Sequence, residues 1–267
     1  MKRITSTFIT MSILSLCSCS VVKQQKSDAS SLTRDGKLWS SLWQQQAAEY
    51  KALCYQAYNS ARIQLDEVLK NPPSKPLAVV TDIDETVLDN SPNAVSQALK
   101  GRDFEQSAWY DWTNKAACDT VPGSASFFKY AASKGVTVFY VTNRDEQERE
   151  ATLRNLEKYG FPFSDNEHLL LKQTTSGKEP RRKDIGSTHE IIMLIGDNLS
   201  DFSSVFDKLP MEKREAVTQE NSKEFGRRFI VLPNASYGDW ENSLFKYNYK
   251  LNQQEKEKII LEILKKE

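Results

Sequence analysis

The fold is decided by the stretch LAVVTDIDET, residues 77–86, in which a short apolar run leads directly into two aspartates. The run itself, Leu77–Thr81, is rich in residues that favour strands, and Pro72 and Pro73 end any helix before it. An apolar run of this length is typical of a parallel strand that is buried on both faces. The aspartates would then lie at the carboxyl end of that strand.

Three more apolar runs follow along the chain. They are Val136–Val141, Ile191–Ile195 and Phe229–Leu232. Helical patterns lie between them, such as Ser124–Ser133 and Asp145–Tyr159. This alternation predicts an α/β fold with a Rossmann-like parallel sheet, flanked by helices on both faces.

The rest of the chain adds helices to this sheet. Apolar and aromatic residues recur at helical spacing from Leu38 to Leu69, which predicts one long helix or two. Residues 91–122 form a Trp-rich insertion, where we expect a small, mainly helical cap. The Lys/Glu-rich end from Gln253 to Glu267 is expected to be a packed terminal helix. We therefore assign a single domain to residues 35–267.

The composition argues against one class of protein and excludes one kind of metal site. The 267-residue chain has 36 Lys and Arg residues against 36 Asp and Glu residues, so it lacks the basic excess of a nucleic-acid-binding protein. Its two histidines, His168 and His189, are too few for a multi-histidine zinc cluster. We therefore expect carboxylates to carry the chemistry, and no nucleic acid as a partner.

The first residues are typical of a bacterial export signal. Two basic residues precede an apolar run that is too short to span a bilayer. The sequence Leu16-Cys17-Ser18-Cys19 resembles a lipobox, which predicts a signal peptide over 1–18 and lipidation of Cys19. The alternative is a plain signal peptide that is cut near Ser20. Two or more acyl chains would anchor the protein to a membrane without a spanning helix.

Several expectations for the mature chain follow. Residues 19–34 are polar and should form a flexible tether. Removal of the signal with its two basic residues leaves 34 basic against 36 acidic residues, a net charge of −2. Ser20 rather than Asp after the acylated cysteine predicts the outer membrane, facing the periplasm or the cell surface. Cys54 and Cys118 remain, and the sequence is compatible with a disulfide or with two free thiols.

Polar residues follow three of the predicted strands at the point where each strand ends. They are Asp82 and Asp84, then Thr142-Asn143-Arg144, then Gly196-Asp197-Asn198-Leu199-Ser200-Asp201. Ligands of open α/β sheets bind beyond the carboxyl ends of the strands, so these groups are expected to meet. Clustered carboxylates repel one another unless a cation lies among them, and Mg²⁺ prefers oxygen ligands of this kind.

This arrangement predicts phosphoryl transfer. Asp82, held ionised by the metal, would act as the nucleophile and form an aspartyl-phosphate. Asp84 would protonate the leaving oxygen and later deprotonate water. A hydroxyl from Thr142 and the amine of Lys178 would stabilise the charge on the transferring group. Each motif alone also has a structural interpretation, as a solvated loop, a helix cap or an exposed basic stretch.

With these motifs the chain resembles the haloacid dehalogenase superfamily, and within it the class C acid phosphatases of the lipoprotein e 5′-nucleotidase family. The motifs that carry the resemblance are Asp82–Thr86, Thr142–Arg144, Gly196–Asp201 and Leu232–Trp240. The resemblance implies that Asp82, the main-chain carbonyl of Asp84, and Asp197 hold Mg²⁺. Asp201 would act close by or through water.

The same resemblance implies where the substrate binds. Thr142 and Lys178 would bind the phosphoryl group, with Asn143 beside them. The family's substrate-clamping aromatics match Trp109 in the insertion and Tyr237 in the last loop, and packing in the core is their alternative role. A base that is stacked between two rings gains affinity with little demand for base identity. The implied substrate is therefore a nucleoside 5′-monophosphate.

One position departs from the family pattern. An aromatic residue often follows Ser91-Pro92, but this chain has Asn93, so we expect base affinity or preference to differ. Two alternatives to a 5′-nucleotidase remain: a broad-specificity acid phosphatase or phosphotransferase, and a non-catalytic surface-binding lipoprotein. The preferred nucleotide, the pH optimum and the oligomeric state, including a homodimer, are left open by the sequence.

Overall fold

The structure is a computed structural model that describes residues 31–267. The predicted signal peptide over 1–18, the lipidation of Cys19 and most of the predicted tether lie outside the described residues. A bilayer crossing has no candidate among the helices of residues 31–267, because none combines the necessary length with the necessary apolar character.

The described residues form α-helices and β-strands in mixed order. The helices are α1 (Leu32–Gln46), α2 (Ala48–Val68), α3 (Ser91–Leu99), α4 (Gln106–Thr113), α5 (Ser124–Ser133), α6 (Arg149–Lys158), α7 (Glu179–Thr188), α8 (Met211–Glu220), α9 (Asp239–Leu244) and α10 (Gln253–Ile263). The strands are β1 (Leu77–Thr81), β2 (Leu88–Asp89), β3 (Asp119–Thr120), β4 (Thr137–Val141), β5 (Leu169–Leu170), β6 (Glu190–Gly196) and β7 (Phe229–Val231).

The main sheet confirms the predicted parallel α/β architecture. Its strand order is β5-β4-β1-β6-β7, and every neighbouring pair is parallel. The central strand β1 pairs Val80 with Phe139 on one side and with Leu194 on the other. Because β1 is the central strand, the residues that follow it emerge at the middle of the carboxyl edge of the sheet.

Helices pack on the sheet around two hydrophobic clusters. One cluster includes Leu65 of α2 and Phe128 of α5, and the other includes Phe202 and Phe206. The helical pattern before the first strand proves to be two helices, since Ala47 has extended backbone between α1 and α2. Apolar burial on both faces of a central sheet is what the continuous apolar strands predict.

The predicted tether ends earlier than position 34. Helix α1 begins at Leu32, so positions 32–34 are helical rather than part of a flexible segment. The Ser31 hydroxyl caps the helix, and the Leu32 amide donates a hydrogen bond to Glu257 of α10 at 3.0 Å. A contact between residues 225 positions apart thus orders residues that look like tether from local composition alone.

The insertion is mainly helical, as predicted. It contains α3 and α4 and ends in β3, which pairs antiparallel with β2. Trp112 packs against the larger hydrophobic cluster, and its indole N–H donates to Asn90 at 2.8 Å. Helix α4 of the insertion is therefore tied to Asn90, which lies between β2 and α3.

The two cysteines of the described chain are free thiols. Cys54 and Cys118 are both buried and unbonded, which decides between the two alternatives left by the sequence. Burial raises the pKa of each thiol to about 11. The thiol of Cys118 lies 3.2 Å from the side-chain amide oxygen of Asn90, to which it is a weak donor.

Candidate active site

The carboxyl ends of β1, β4 and β6 meet at a cavity of about 550 Å³. Of the predicted site residues, those that line the cavity are Asp82, Asp84, Trp109, Asn143, Lys178, Asp197, Asp201 and Tyr237. Thr142 is fully buried beside it, 3.4 Å from the Asp84 carboxylate. The described part of the predicted site is thus brought together in one place, while Cys19 lies outside the described residues.

Three carboxylates form a compact group at the bottom of the cavity. Asp82, Asp197 and Asp201 each present an oxygen within 4.8 Å of the others. Asp197 is oriented by the Thr86 hydroxyl at 3.2 Å and by the Asn234 amide at 2.8 Å. Oxygen ligands at this spacing suit a hard divalent cation.

The loop after β6 explains how Asp201 reaches the group. Its carboxylate accepts a hydrogen bond from the main-chain N–H of Asn198 at 3.0 Å. The Asn198 side chain in turn accepts from the backbone of Asp201, so the two residues form a capping box at the short 3₁₀ turn. A Cβ at Gly196 would overlap this carboxylate, so only glycine allows the close approach. The Gly-Asp-Asn-Leu-Ser-Asp motif therefore has a local reason for both its first and its last residue.

Lys178 lies between the two carboxylates that flank it. Its Nζ contacts Asp82 and lies 2.7 Å from Asp201. Burial lowers the pKa of Lys178, but the nearby Asp201 and Asp82 outweigh this effect, and the net pKa is raised. Lys172, the other lysine of this stretch, instead pairs with Asp145 at 2.7 Å.

Asp84 stands apart from the carboxylate group. Its oxygens accept hydrogen bonds from Arg144 Nη2 at 2.7 Å, Arg144 Nε at 3.1 Å and the side-chain amide of Asn90 at 2.9 Å. Arg144 is buried, and its Nη1 donates to Thr152 at 3.1 Å, which fixes the guanidinium plane. The side chain of Asp84 is thus held by donors, and it does not belong to the cation-binding group.

Burial and mutual repulsion perturb the carboxylates. Desolvation raises the pKa of Asp82 to about 7, Lys178 opposes the rise, and Asp201 and Asp84 add to it. Desolvation also raises the pKa of Asp197 well above its ordinary value, with Asp201 and Asp82 adding to it. A divalent cation among these oxygens would compensate the repulsion, so the residues present fit such an ion.

Aromatic side chains form another part of the cavity lining. Trp109 and Tyr237 belong to neither hydrophobic cluster, so the core-packing alternative does not describe them. The Trp109 indole N–H donates to Glu148 at 2.9 Å, and the Tyr237 hydroxyl donates to Glu85. Phe104 lies with its ring centre 6.3 Å from that of Trp109 and is exposed to the cavity.

Comparison with known proteins decides the family. The family model described as HAD superfamily, subfamily IIIB (acid phosphatase), matches residues 9–240. The chain belongs to this family. The predicted resemblance to the haloacid dehalogenase acid phosphatases is thereby confirmed.

Solved structures of this acid phosphatase family agree with the fold. The class C acid phosphatase from Bacillus anthracis is 42% identical, with a TM-score of 0.85 over 88% of this chain and 99% of that chain. Its structure with tungstate bound matches at 43% identity with the same TM-score and coverage.

More distant relatives come from a plant. The stem 31 kDa and stem 28 kDa glycoproteins of Glycine max are 26% and 27% identical, over 45% and 46% of this chain and 49% and 51% of their own lengths. The chain thus spans about half the length of these curated relatives.

Several residues that contact the predicted site residues were not themselves predicted from the sequence. Arg144 stands in the quoted Thr-Asn-Arg motif, and its place after the strand-end threonine is the signal that could have found it. Asn234 likewise lies in the quoted motif of the last loop. Glu148 and Phe104 carry no such signal, because their neighbours in sequence are ordinary helix and loop residues.

Proposed function

We propose that this protein is a Mg²⁺-dependent phosphomonoesterase that hydrolyses nucleoside 5′-monophosphates through an aspartyl-phosphate. The observation that carries the proposal is the contact of Lys178 with Asp82 inside the buried carboxylate group. The acid phosphatase family supports phosphomonoester chemistry. Tungstate, which one solved relative binds, is an oxyanion of the same kind as phosphate.

The metal would be held by Asp82, Asp197, Asp201 and the main-chain carbonyl of Asp84. When bound, Mg²⁺ supplies positive charge that offsets the negative charge of the nucleophile and of the phosphoryl oxygens. The all-oxygen donor set supports a hard divalent cation, the class to which Mg²⁺ belongs.

Asp82 would act as the nucleophile. A carboxylate oxygen of Asp82 forms a bond to phosphorus while the bond from phosphorus to the nucleoside 5′-oxygen breaks. Lys178, already in contact with this carboxylate, would bind a phosphoryl oxygen and stabilise the spread of negative charge. The side-chain oxygen of Asn143 already accepts from Arg181 at 3.0 Å. Its N–H₂ group would therefore be the part that donates to the bound phosphoryl group.

Asp84 would move the protons of the reaction. In its acid form it donates a proton to the leaving 5′-oxygen, and the resulting carboxylate then takes a proton from the water that attacks the aspartyl-phosphate. Arg144 and Asn90 hold the Asp84 carboxylate from two directions, and Thr142 lies 3.4 Å away. The second step releases phosphate and returns Asp84 to its acid form.

The aromatic lining would bind the nucleoside. Trp109 and Tyr237, which both line the cavity, would stack on a planar base. Stacking depends on the shape of the base more than on its identity. The cavity of about 550 Å³ is of the size that small-molecule sites have.

We further propose that the mature protein is anchored by lipid at Cys19 to the bacterial outer membrane, after removal of a signal peptide over 1–18. The lipobox-like Leu16-Cys17-Ser18-Cys19 supports this proposal. Radiolabelled palmitate should enter the wild-type protein in cells and fail to enter the Cys19→Ala variant.

A direct assay tests the enzymatic proposal. Purified protein should release phosphate from AMP and nicotinamide mononucleotide with a higher kcat/KM than from phenyl phosphate, lose activity in EDTA and regain it with Mg²⁺. Equal kcat/KM on all three substrates would favour the broad acid phosphatase instead. Full activity after thorough chelation would refute the metal requirement, and no phosphate release would favour a binding lipoprotein.

A further inference from the structure

Two buried glutamates adjoin the cavity without a part in the chemistry above. Glu85 and Glu148 each expose only 1% of their surface. Each accepts a hydrogen bond from an aromatic residue that lines the cavity: Glu85 from the Tyr237 hydroxyl, and Glu148 from the Trp109 indole N–H at 2.9 Å. We propose that Glu85 and Glu148 are positioning residues that fix these two rings for nucleotide binding. This inference rests on the proposed function.

The surroundings of Glu85 leave its carboxylate little freedom. Its Oε2 accepts from the Tyr237 hydroxyl, and its Oε1 accepts from the main-chain N–H of Asn90 at 2.8 Å. Each oxygen therefore has its own donor. The backbone of Glu85 is left-handed, with φ 58°, a conformation that glycine adopts at no steric cost. A glutamate in this conformation is explained by what its side chain holds: the main chain of Asn90, after β2, on one side and Tyr237 on the other.

Glu148 is held in the same way on a different element. Its second oxygen accepts from the Asp145 amide at 2.7 Å, in a capping box at the turn that precedes α6. The oxygen that remains is directed to Trp109, which stands 39 positions earlier in the insertion. Two aromatic residues from unrelated parts of the chain are thus restrained by the same device.

Restraint of this kind acts on affinity. A ring that is already held in its binding orientation loses less freedom when a base stacks on it, so nucleotide binding costs less. Loss of one restraint should raise the KM for a nucleotide between about twofold and tenfold. A phosphoester without a ribose-linked base would not report the loss, because its leaving group does not extend to both rings.

Glutamine substitutions give a matched pair with opposite expected outcomes. Glu85→Gln should keep the contact, because its amide N–H₂ can donate to the Tyr237 hydroxyl oxygen while its carbonyl still accepts from Asn90. Glu148→Gln should lose a contact, because the Asp145 main-chain amide and the Trp109 indole both donate an N–H to Glu148 and glutamine has one acceptor oxygen. We expect the KM for AMP to stay within about twofold in the first variant and to rise about threefold or more in the second.

A double-mutant cycle separates positioning from direct substrate contact. Tyr237→Phe removes only the hydroxyl, and it should raise the KM for AMP in the wild-type background but not further in Glu85→Ala. An equal rise in both backgrounds would mean that the hydroxyl contacts the substrate itself, which would overturn the inference for Glu85.

Phenyl phosphate serves as the control for folding and for chemistry. The kcat and KM for this substrate should stay within about twofold in Glu85→Gln and Glu148→Gln. An unchanged KM for AMP in both Tyr237→Phe and Glu148→Gln, with AMP turned over normally, would overturn this inference alone. A wild-type enzyme that hydrolyses phenyl phosphate but not AMP would overturn the proposed nucleotide substrate, and this inference with it.

Discussion

Two regions of the cavity are built on different principles. The proposed catalytic floor comprises Asp82, Asp84, Lys178, Asp197 and Asp201. It is charged, and its aspartates follow adjacent parallel strands. The proposed recognition wall comprises Asn93, Phe104, Trp109 and Tyr237. It is aromatic or neutral and comes from the insertion and the last loop. The sheet therefore positions the floor, whereas Trp109 and Tyr237 of the wall donate hydrogen bonds to the buried Glu148 and Glu85.

This difference has a kinetic consequence. Changes in the floor should lower kcat for every phosphomonoester, because the reacting phosphorus is common to all of them. Changes in the wall should raise KM for nucleotides and leave small phosphoesters unaffected, because only a base reaches the wall.

The largest effect is expected from Asp82→Asn. The amide cannot attack phosphorus, so kcat should fall by at least about a thousandfold on AMP and on phenyl phosphate alike. Phosphate release under saturating substrate measures this. A loss that differs more than about tenfold between the two substrates would break the separation of floor and wall.

Arg144→Lys should have a smaller and selective effect. Lysine cannot reproduce the two-nitrogen contact with Asp84, so the acid would be poorly aimed. We expect kcat on AMP to fall about ten- to a hundredfold, while kcat on p-nitrophenyl phosphate falls less than about threefold, because its leaving group needs no proton. Equal losses on both substrates would show that Arg144 does not act through protonation of the leaving group.

The floor should also make the metal-free protein sensitive to pH. The pKa of Asp82, about 7 against an ordinary 3.8, means that the folded state binds this proton more tightly than the unfolded chain. The resulting stability is fully present below about pH 4 and is lost as pH rises towards 7. In EDTA, the Tm of Asp82→Asn minus the Tm of the wild type should therefore increase as the pH rises from 4 to 7.5.

Calorimetry at the two pH values measures that gain. Mg²⁺ should raise the wild-type Tm more at pH 7.5 than at pH 4, because the ionised carboxylate binds the cation. A constant difference in Tm between variant and wild type would contradict the assigned shift of Asp82.

The smallest effect is expected from Asn93→Phe in the wall. Position 93 lines the cavity on α3, and a ring there would add stacking surface for a base. The KM for AMP should fall about threefold with kcat unchanged. A change in kcat on phenyl phosphate would show that position 93 reaches the floor after all.

The two regions also differ in what the sequence predicts. The floor could be inferred from chain order, because the carboxyl ends of parallel strands converge and polar residues follow three of the apolar runs. Trp109 and Tyr237 became candidates only through resemblance to a family, since nothing in their spacing brings them together.

Long-range contacts account for what the sequence missed. The Glu85–Tyr237 pair spans 152 positions, and the contact of Leu32 with Glu257, which orders the start of α1, spans 225. No local periodicity or motif encodes such pairs, because they depend on the packing of the finished fold. Arg144 is the exception, since its motif places it beside the floor before any fold is known.

The most direct test of the account is to trap the covalent intermediate on Asp82. Acid quench during turnover of AMP, followed by borohydride reduction, converts a phosphorylated aspartate to homoserine, which peptide mass spectrometry locates. We predict homoserine at position 82 that depends on both substrate and Mg²⁺. Conversion at Asp84 instead, or none at position 82 while phosphate is released, would contradict the assignment of Asp82 as the nucleophile.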